Sequence, residues 1–299
     1  NQYHMGGVIL FDRNMDSPEQ VKQLTSDLQA QSNEKVPLFI GIDEEGGDVV
    51  RMAEKLTPPP SQKEIGATGD IEQARTWAIK TAKSLKDMGI NVNFAPVADI
   101  GSNDKRSYST DANTVIDFVR AATKGYQQEN IIYSLKHFPG IGKGKVDSHV
   151  DSSSIDVAKE VLMAEDILPF KTIIDGNEPN DYFILVSHLK YPALDEEYPA
   201  SLSSKIMTDL LRNELGYKGI IITDDMEMGA VANHNDFRSI GVKAVKAGVD
   251  IVLVCHEYQH QQEVYLGLLD AVNSGEISQE RIDESVKRII KVKLLHLYQ

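Results

Sequence analysis

The sequence predicts an α/β fold whose parallel strands close into a (β/α)8 barrel of the TIM type. Three observations carry that expectation. Short apolar runs recur between helical patterns: GGVILF (6–11), VPLFIGID (36–43), INVNFAPVAD (90–99), IIYSLKHF (131–138), YFILVSH (182–188), GIIITDD (219–225) and VDIVLVCH (249–256). Most are continuous rather than alternating, the mark of strands covered on both faces in a parallel sheet. No G-x-G-x-x-G follows the first run, which removes the main support for a doubly wound dinucleotide fold. Instead, strand after strand ends in a polar residue: Asp43, Asp99, Lys136-His137, His188, Asp224 and His256. A barrel gathers the C-terminal ends of its strands at one mouth, where several strands contribute catalytic groups. Seven runs leave one strand of eight unaccounted for, and the expectation is a first strand that precedes Asn1 or is irregular.

The helices follow in order. After Asp16, Ser17, Pro18 and Glu19 supply a cap, a first-turn proline and an acidic first turn for SPEQVKQLTSDLQAQ. Across 70–88, Ile71, Ala74, Ala78, Ala82 and Leu85 follow three- and four-residue steps and form one apolar face. Further helices are expected over about 111–128, 157–175, 203–215, 237–247, 259–273 and 278–296. No repeat, low-complexity tract or linker interrupts the chain, so residues 1–299 read as one domain.

Composition narrows the function. Apolar residues are 41 % and charged residues 25 % of the 299, ordinary for a globular chain. A formal net charge of −14, with no basic stripe, argues against a nucleic-acid partner. No stretch approaches the roughly 18 to 20 apolar residues of a membrane span. The one cysteine, Cys255, cannot form an internal disulfide and reads as packing within a buried strand. The compartment, cytoplasmic or secreted and cell-surface, depends on the sequence upstream of Asn1.

The stretch richest in chemistry is KHFPGIGKGKVDSHVD, from Lys136 to Asp151. Lys136 and His137 end a strand, Pro139 and three glycines break regular structure, and Asp147-Ser148-His149 closes the passage. A carboxylate that accepts from His Nδ1–H fixes the tautomer and leaves Nε2 for proton transfer. Asp147 and His149 read as such a pair; the bland alternative is a solvated loop. Asp224 and Asp225 end the IIIT run. Position alone fits a helix cap or turn as well as a nucleophile. The two-residue strand period lets only one of them face inward, and alternation does not say which. In DEEGGDVVR (43–51), Asp43 and Arg51 are candidates to hold a polar ligand, while Glu44 and Glu45 read as acidic residues of a turn. Arg106 lies in a long polar loop after the third run, and long loops at a barrel mouth are usually functional. SHLKYPALD (187–195) repeats the Ser-His strand ending. Eight histidines invite a metal, but no HExxH, HxH or CxxC spacing occurs. No metal is expected.

Together these segments resemble glycoside hydrolase family 3, in its bacterial β-N-acetylglucosaminidase branch. GGVILFDRN, IGIDEEGGDVVRM, NVNFAPVADI, KRSYSTD, KHFPGIGKGKVDSH, SHLKYPALD, PASLS and GIIITDDMEMGAV follow the family's order, and KHFPG…DSH is the most specific. The resemblance implies a (β/α)8 barrel and a retaining double displacement. It assigns Asp224 as nucleophile, His149 as general acid/base and Asp147 as its partner. It further implies that Asp43, Arg51, Arg106, Lys136 and His137 bind the terminal N-acetylglucosamine. Ile141 stands where the family often has His, and Glu44 and Asp48 depart from the family's DQEGGR.

The expected activity is therefore release of terminal β-linked N-acetylglucosamine from glycans, with muropeptides foremost. A retaining glycosidase needs a carboxylate on one side of the anomeric carbon and a proton donor on the other. A His with an ordinary pKa of about 6.5 suits both proton steps near neutrality. No metal or organic cofactor is required. The glycines imply that the acid/base arrives by loop closure. The rivals are a phosphorylase, since a His acid/base would not repel an incoming dianion, a non-catalytic sugar-binding barrel, and a metal-dependent amidohydrolase. Neither the natural aglycone nor the oligomeric state follows from the sequence.

Overall fold

The structure is a computed structural model and describes residues 3–32, 36–52, 56–101, 105–144 and 153–298. Every one of the seven apolar runs contains a strand. They give β1 (Gly7–Leu10), β2 (Phe39–Ile42), β3 (Val92–Asn93), β4 (Ile132–Phe138) and β5 (Tyr182–Val186). A short antiparallel pair, β6 (Lys190–Tyr191) and β7 (Asp195–Pro199), comes next and was not expected. The last two are β8 (Ile220–Asp225) and β9 (Ile251–Leu253). Between them lie α1 (Pro18–Gln31), α2 (Gln62–Ala67), α3 (Ile71–Asp87), α4 (Ala112–Gln128), α5 (Lys159–Ala164) and α6 (Leu168–Gly176). A π-helix (Lys205–Glu214), α7 (Gly229–Ala232), α8 (Phe237–Ala247), α9 (Tyr258–Asn273) and α10 (Gln279–His296) complete the succession. The chain packs as two compact units, Asn1–Lys136 with Ile290–Gln299, and His137–Ile289.

In the first unit β1 to β4 pair in chain order and in parallel, with Leu10 opposite Ile42, Ile42 opposite Asn93 and Asn93 opposite Tyr133. All four residues of β2 are buried, as its unbroken apolar run requires. The third run gives a strand of only two residues, because Pro96 has no N–H to donate to a ladder. Beyond it, Val97 bridges Lys136 and the Ala98 N–H donates to the Lys136 carbonyl at 2.7 Å, so the chain stays beside β4 as far as the polar loop. The Ser17 hydroxyl caps α1 by accepting the Gln20 N–H at 3.1 Å. On α3 the buried face is Ala74, Ala78, Thr81, Ala82 and Leu85, while Ile71 in its first turn is exposed. Gly125 lets α4 approach α3, since a Cβ there would lie 2.6 Å from the Arg75 carbonyl oxygen.

In the second unit β5, β8 and β9 are parallel, with Val186 opposite Thr223 and Asp225 opposite Leu253. The helix expected over 157–175 is two helices, α5 and α6. Buried Asp166 lies in the break, where Lys143 donates to it at 2.7 Å, and Pro169 sits in the first turn of α6.

Candidate active site

In the first unit a cluster of charge forms where β2 runs out. Gly46 and Gly47 take φ of 102° and 61°, the left-handed region, and fold residues 45–49 into a tight turn. A Cβ on Gly46 would overlap the Pro60 carbonyl oxygen. The turn leaves Asp43, Glu44 and Glu45 with three separate tasks. Asp43 accepts from Lys136 Nζ at 2.7 Å through Oδ1 and from Arg51 Nη2 at 3.2 Å through Oδ2. Glu44 accepts the Arg51 backbone N–H at 2.9 Å, and its own backbone is bracketed by the buried Asn93 side chain at 3.0 and 3.1 Å. Glu45 pairs with Lys136 Nζ at 2.5 Å and receives Arg106 through both Nε and Nη2, at 2.9 and 2.8 Å. Arg51 also lies over the Phe11 ring, 5.2 Å from its centroid.

Electrostatics separates the two glutamates. Burial pushes Glu44 up to about 7, although the hydrogen bond from Arg51 and its charge pull the other way. Burial alone would lower the Lys136 ammonium, but the Asp43 and Glu45 carboxylates outweigh it and hold Lys136 above its ordinary value. Lys136 is thus a charged lysine in the interior, tolerable only because two carboxylates meet it.

In the second unit the end of β8 is tied down through Asp225. Its Oδ1 accepts the backbone N–H groups of Glu227 at 3.2 Å and Cys255 at 3.1 Å, and its Oδ2 lies 3.1 Å from His256 Nε2. Its carbonyl lies 2.8 Å from His188 Nε2, and His188 Nδ1 is 2.7 Å from the Ser201 hydroxyl. A carbonyl only accepts, so Nε2 carries the proton, and a neutral ring then accepts from Ser201 at Nδ1. Burial lowers the His188 pKa, against the charges of Asp224 and Asp225, which favours that neutral form. Asp224 is half-buried and accepts the Asp225 N–H at 2.8 Å. Glu227 is held by His260 at 2.7 Å and by the backbone N–H groups of His256 and Glu257. Burial would raise Glu227, but these donors outweigh it and leave it below its ordinary value.

Of the residues expected in the site, Asp43, Arg51, Arg106 and Lys136 come together in one connected cluster. His137 is buried near the end of β4, and its carbonyl accepts the Gly140 N–H at 2.7 Å. Asp224 stands at the end of β8 in the second unit. Asp147 and His149 lie outside the described residues. On either side of them the chain is anchored: Lys143 donates to Glu165 and Asp166, and the Ser153 carbonyl accepts the Lys190 N–H at 2.9 Å.

The model of the glycosyl hydrolase family 3 N-terminal domain matches residues 1–292. The chain belongs to glycoside hydrolase family 3. It is similar to β-hexosaminidase A of Pseudoalteromonas piscicida, at 35 % identity over 98 % of this chain and 54 % of that protein. It is also similar to the β-hexosaminidase of Nitrosomonas eutropha, at 32 % identity over 94 % of this chain and 83 % of that protein. Among solved structures, a glycoside hydrolase family 3 β-N-acetylglucosaminidase from Paenibacillus sp. str. FPU-7 matches with a TM-score of 0.94 and 38 % identity, covering 98 % of this chain and 57 % of that one. The chain thus spans little more than half the length of the first and last of these relatives. Its fold class is the α/β, TIM-type barrel of family 3, as the sequence predicts. What the sequence did not foresee is the role of Glu45, which is read there as a turn residue and is here the shared partner of Lys136 and Arg106. Its spacing of two from Asp43 was the available signal, because side chains two apart in extended backbone share a side.

Proposed function

We propose that this chain is a retaining exo-β-N-acetylglucosaminidase acting on terminal β-linked N-acetylglucosamine of glycans, muropeptide fragments foremost. Asp224 attacks the anomeric carbon while His149 Nε2 protonates the departing glycosidic oxygen, giving a glycosyl-enzyme and a free alcohol. His149 then takes a proton from water as its oxygen attacks the same carbon, the Asp224–sugar bond breaks, and the configuration is retained. Asp147 holds the His149 tautomer and offsets its charge. Asp43, Arg51, Arg106, Lys136 and His137 bind the sugar. Residues 1–292 match one continuous family model, which supports a single domain over 1–299.

The observation that carries the reading is the unequal fate of two neighbouring aspartates. The Asp225 carboxylate is committed to two backbone N–H groups and His256 and so ties down the strand end, whereas Asp224 stands half-buried at that same strand end, at the position where the family resemblance puts the nucleophile. Additional support comes from the names of the relatives, β-hexosaminidase and β-N-acetylglucosaminidase. The test is turnover of p-nitrophenyl N-acetyl-β-glucosaminide. Asp224→Ala should lose it, and azide should restore it with formation of the α-glycosyl azide. Wild-type turnover in that variant would sink the nucleophile assignment. His149→Ala should slow substrates with poor leaving groups most, and equal slowing of all substrates would remove its role as general acid.

A further inference from the structure

Glu45 lies behind the groups that would meet a sugar rather than among them. Its side chain is 2 % exposed and that of Lys136 3 %, against 19 % for Asp43, 22 % for Arg51 and 25 % for Arg106. A carboxylate so deep does not touch a ligand, yet it engages two of the basic groups that face one. Its Oε1 is shared between Lys136 Nζ and Arg106 Nη2, and its Oε2 takes Arg106 Nε. The two-point contact fixes the plane of the Arg106 guanidinium, which a single contact would leave free to turn. It also lets two cations sit side by side in the interior, where they would otherwise repel one another.

We propose that Glu45 is a positioning residue of the sugar site, which sets Arg106 and Lys136 in fixed mutual geometry and keeps both as donors toward sugar hydroxyls. The role rests on the glycosidase reading above. An ammonium has three donors; Lys136 directs two of them at Asp43 and Glu45, and in this proposal the third meets a sugar hydroxyl. The charged groups acting on Lys136 are Asp43 after β2, Glu45 in the turn and Arg106 in the polar loop, and Tyr126 of α4 feels the charge of Glu45. Asp43 and Glu45 favour the charged lysine by direct contact, and Arg106 opposes it. Glu45→Gln would leave Lys136 with one carboxylate against both its burial and Arg106.

Glu45→Gln in the full chain therefore makes two linked predictions. The lysine side-chain carbons are followed by NMR against pH, with the Lys136 signal assigned by its loss in Lys136→Arg. Lys136 should lose its proton at lower pH in Glu45→Gln than in wild type. The alkaline limb of kcat/KM for the p-nitrophenyl substrate should move down with it, and KM should rise about tenfold or more. An unmoved Lys136 titration with an unmoved alkaline limb overturns the proposal. So does a fall in activity that only tracks the unfolded fraction measured by calorimetry. Should Glu45→Gln not fold, Arg106→Lys keeps the charge but not the two-point contact. A raised KM with little change in kcat supports the role there, and an unchanged KM overturns it. A wild-type chain that binds but never turns over the substrate would defeat the glycosidase reading, while the Lys136 titration would still decide the role of Glu45.

Discussion

Lys136 Nζ lies 2.5 Å from Glu45 Oε1, and both side chains are almost wholly withdrawn from water. Removing one member of a buried ion pair leaves an uncompensated charge, which costs far more than an exposed pair contributes. Lys136→Met should cost about 3–5 kcal/mol of folding stability, read from the shift of the urea midpoint. Arg106 still reaches Glu45 in that variant, which places the expected value toward the lower end. A loss below about 1 kcal/mol would mean that the pair behaves as a surface contact.

Glu44 gives this cluster a pH dependence opposite to that of most carboxylates. Its folded pKa stands near 7 and its ordinary value is 4.5, so between these values the folded chain binds more protons than the unfolded one. The contribution to stability is fully present below about 4.5 and is lost as pH rises through about 7. Glu44→Gln keeps an acceptor for the Arg51 N–H and removes the charge. Its melting temperature should match wild type near pH 4.5 and exceed it at pH 8, by at most about 3 kcal/mol in stability. Equal melting temperatures at both values would show that Glu44 remains ionised in the fold.

Much of this arrangement was legible in the chain, for reasons that differ from element to element. The seven strand runs were visible because strands covered on both faces are largely apolar, as β2 and β5 are. Helix α1 was visible through its cap and first turn, and α3 through its periodic apolar face. The β6 and β7 pair was not, being short, polar and partly exposed. The division between α5 and α6 depends on Asp166 and its Lys143 partner from a distant loop, which no local pattern shows. In the site, Asp43, Arg51, Arg106 and Lys136 could be named from strand ends, a long loop and the resemblance. Glu45 was passed over despite its spacing of two from Asp43, because an acidic turn residue already had a sufficient local explanation and burial is a tertiary property.

His188 should set an acidic limit on stability. Burial lowers its pKa below the ordinary 6.5, so the unfolded chain binds more protons as pH falls through that range. Its stabilising contribution is present above about 6.5 and is lost as pH drops toward the folded value. His188→Ala leaves the Ser201 hydroxyl and the Asp225 carbonyl without this partner, which should cost about 1–3 kcal/mol at pH 7.5. The same variant should lose less than wild type on going from pH 7.5 to pH 5. Parallel losses in thermal melts at the two pH values would exclude His188 as the titrating group.

Asp224 and Asp225 are adjacent, chemically identical and expected to fail in different ways. Asp225→Ala removes the acceptor of the Glu227 and Cys255 N–H groups and the partner of His256. Each buried backbone N–H left without an acceptor costs about 1–3 kcal/mol, so this variant should lose several kcal/mol of stability. Its residual folded fraction should keep some turnover, because Asp224, the proposed nucleophile, is still present. Asp224→Asn keeps an oxygen to accept the Asp225 N–H and should melt within a few degrees of wild type. An amide oxygen is a poor nucleophile at the anomeric carbon, so its activity should fall to the assay floor. Calorimetry and turnover on the two variants in parallel decide the matter. A stable, inactive Asp225→Ala beside an active Asp224→Asn would exchange their roles, because a group that only holds the strand end cannot abolish chemistry while leaving the fold unharmed.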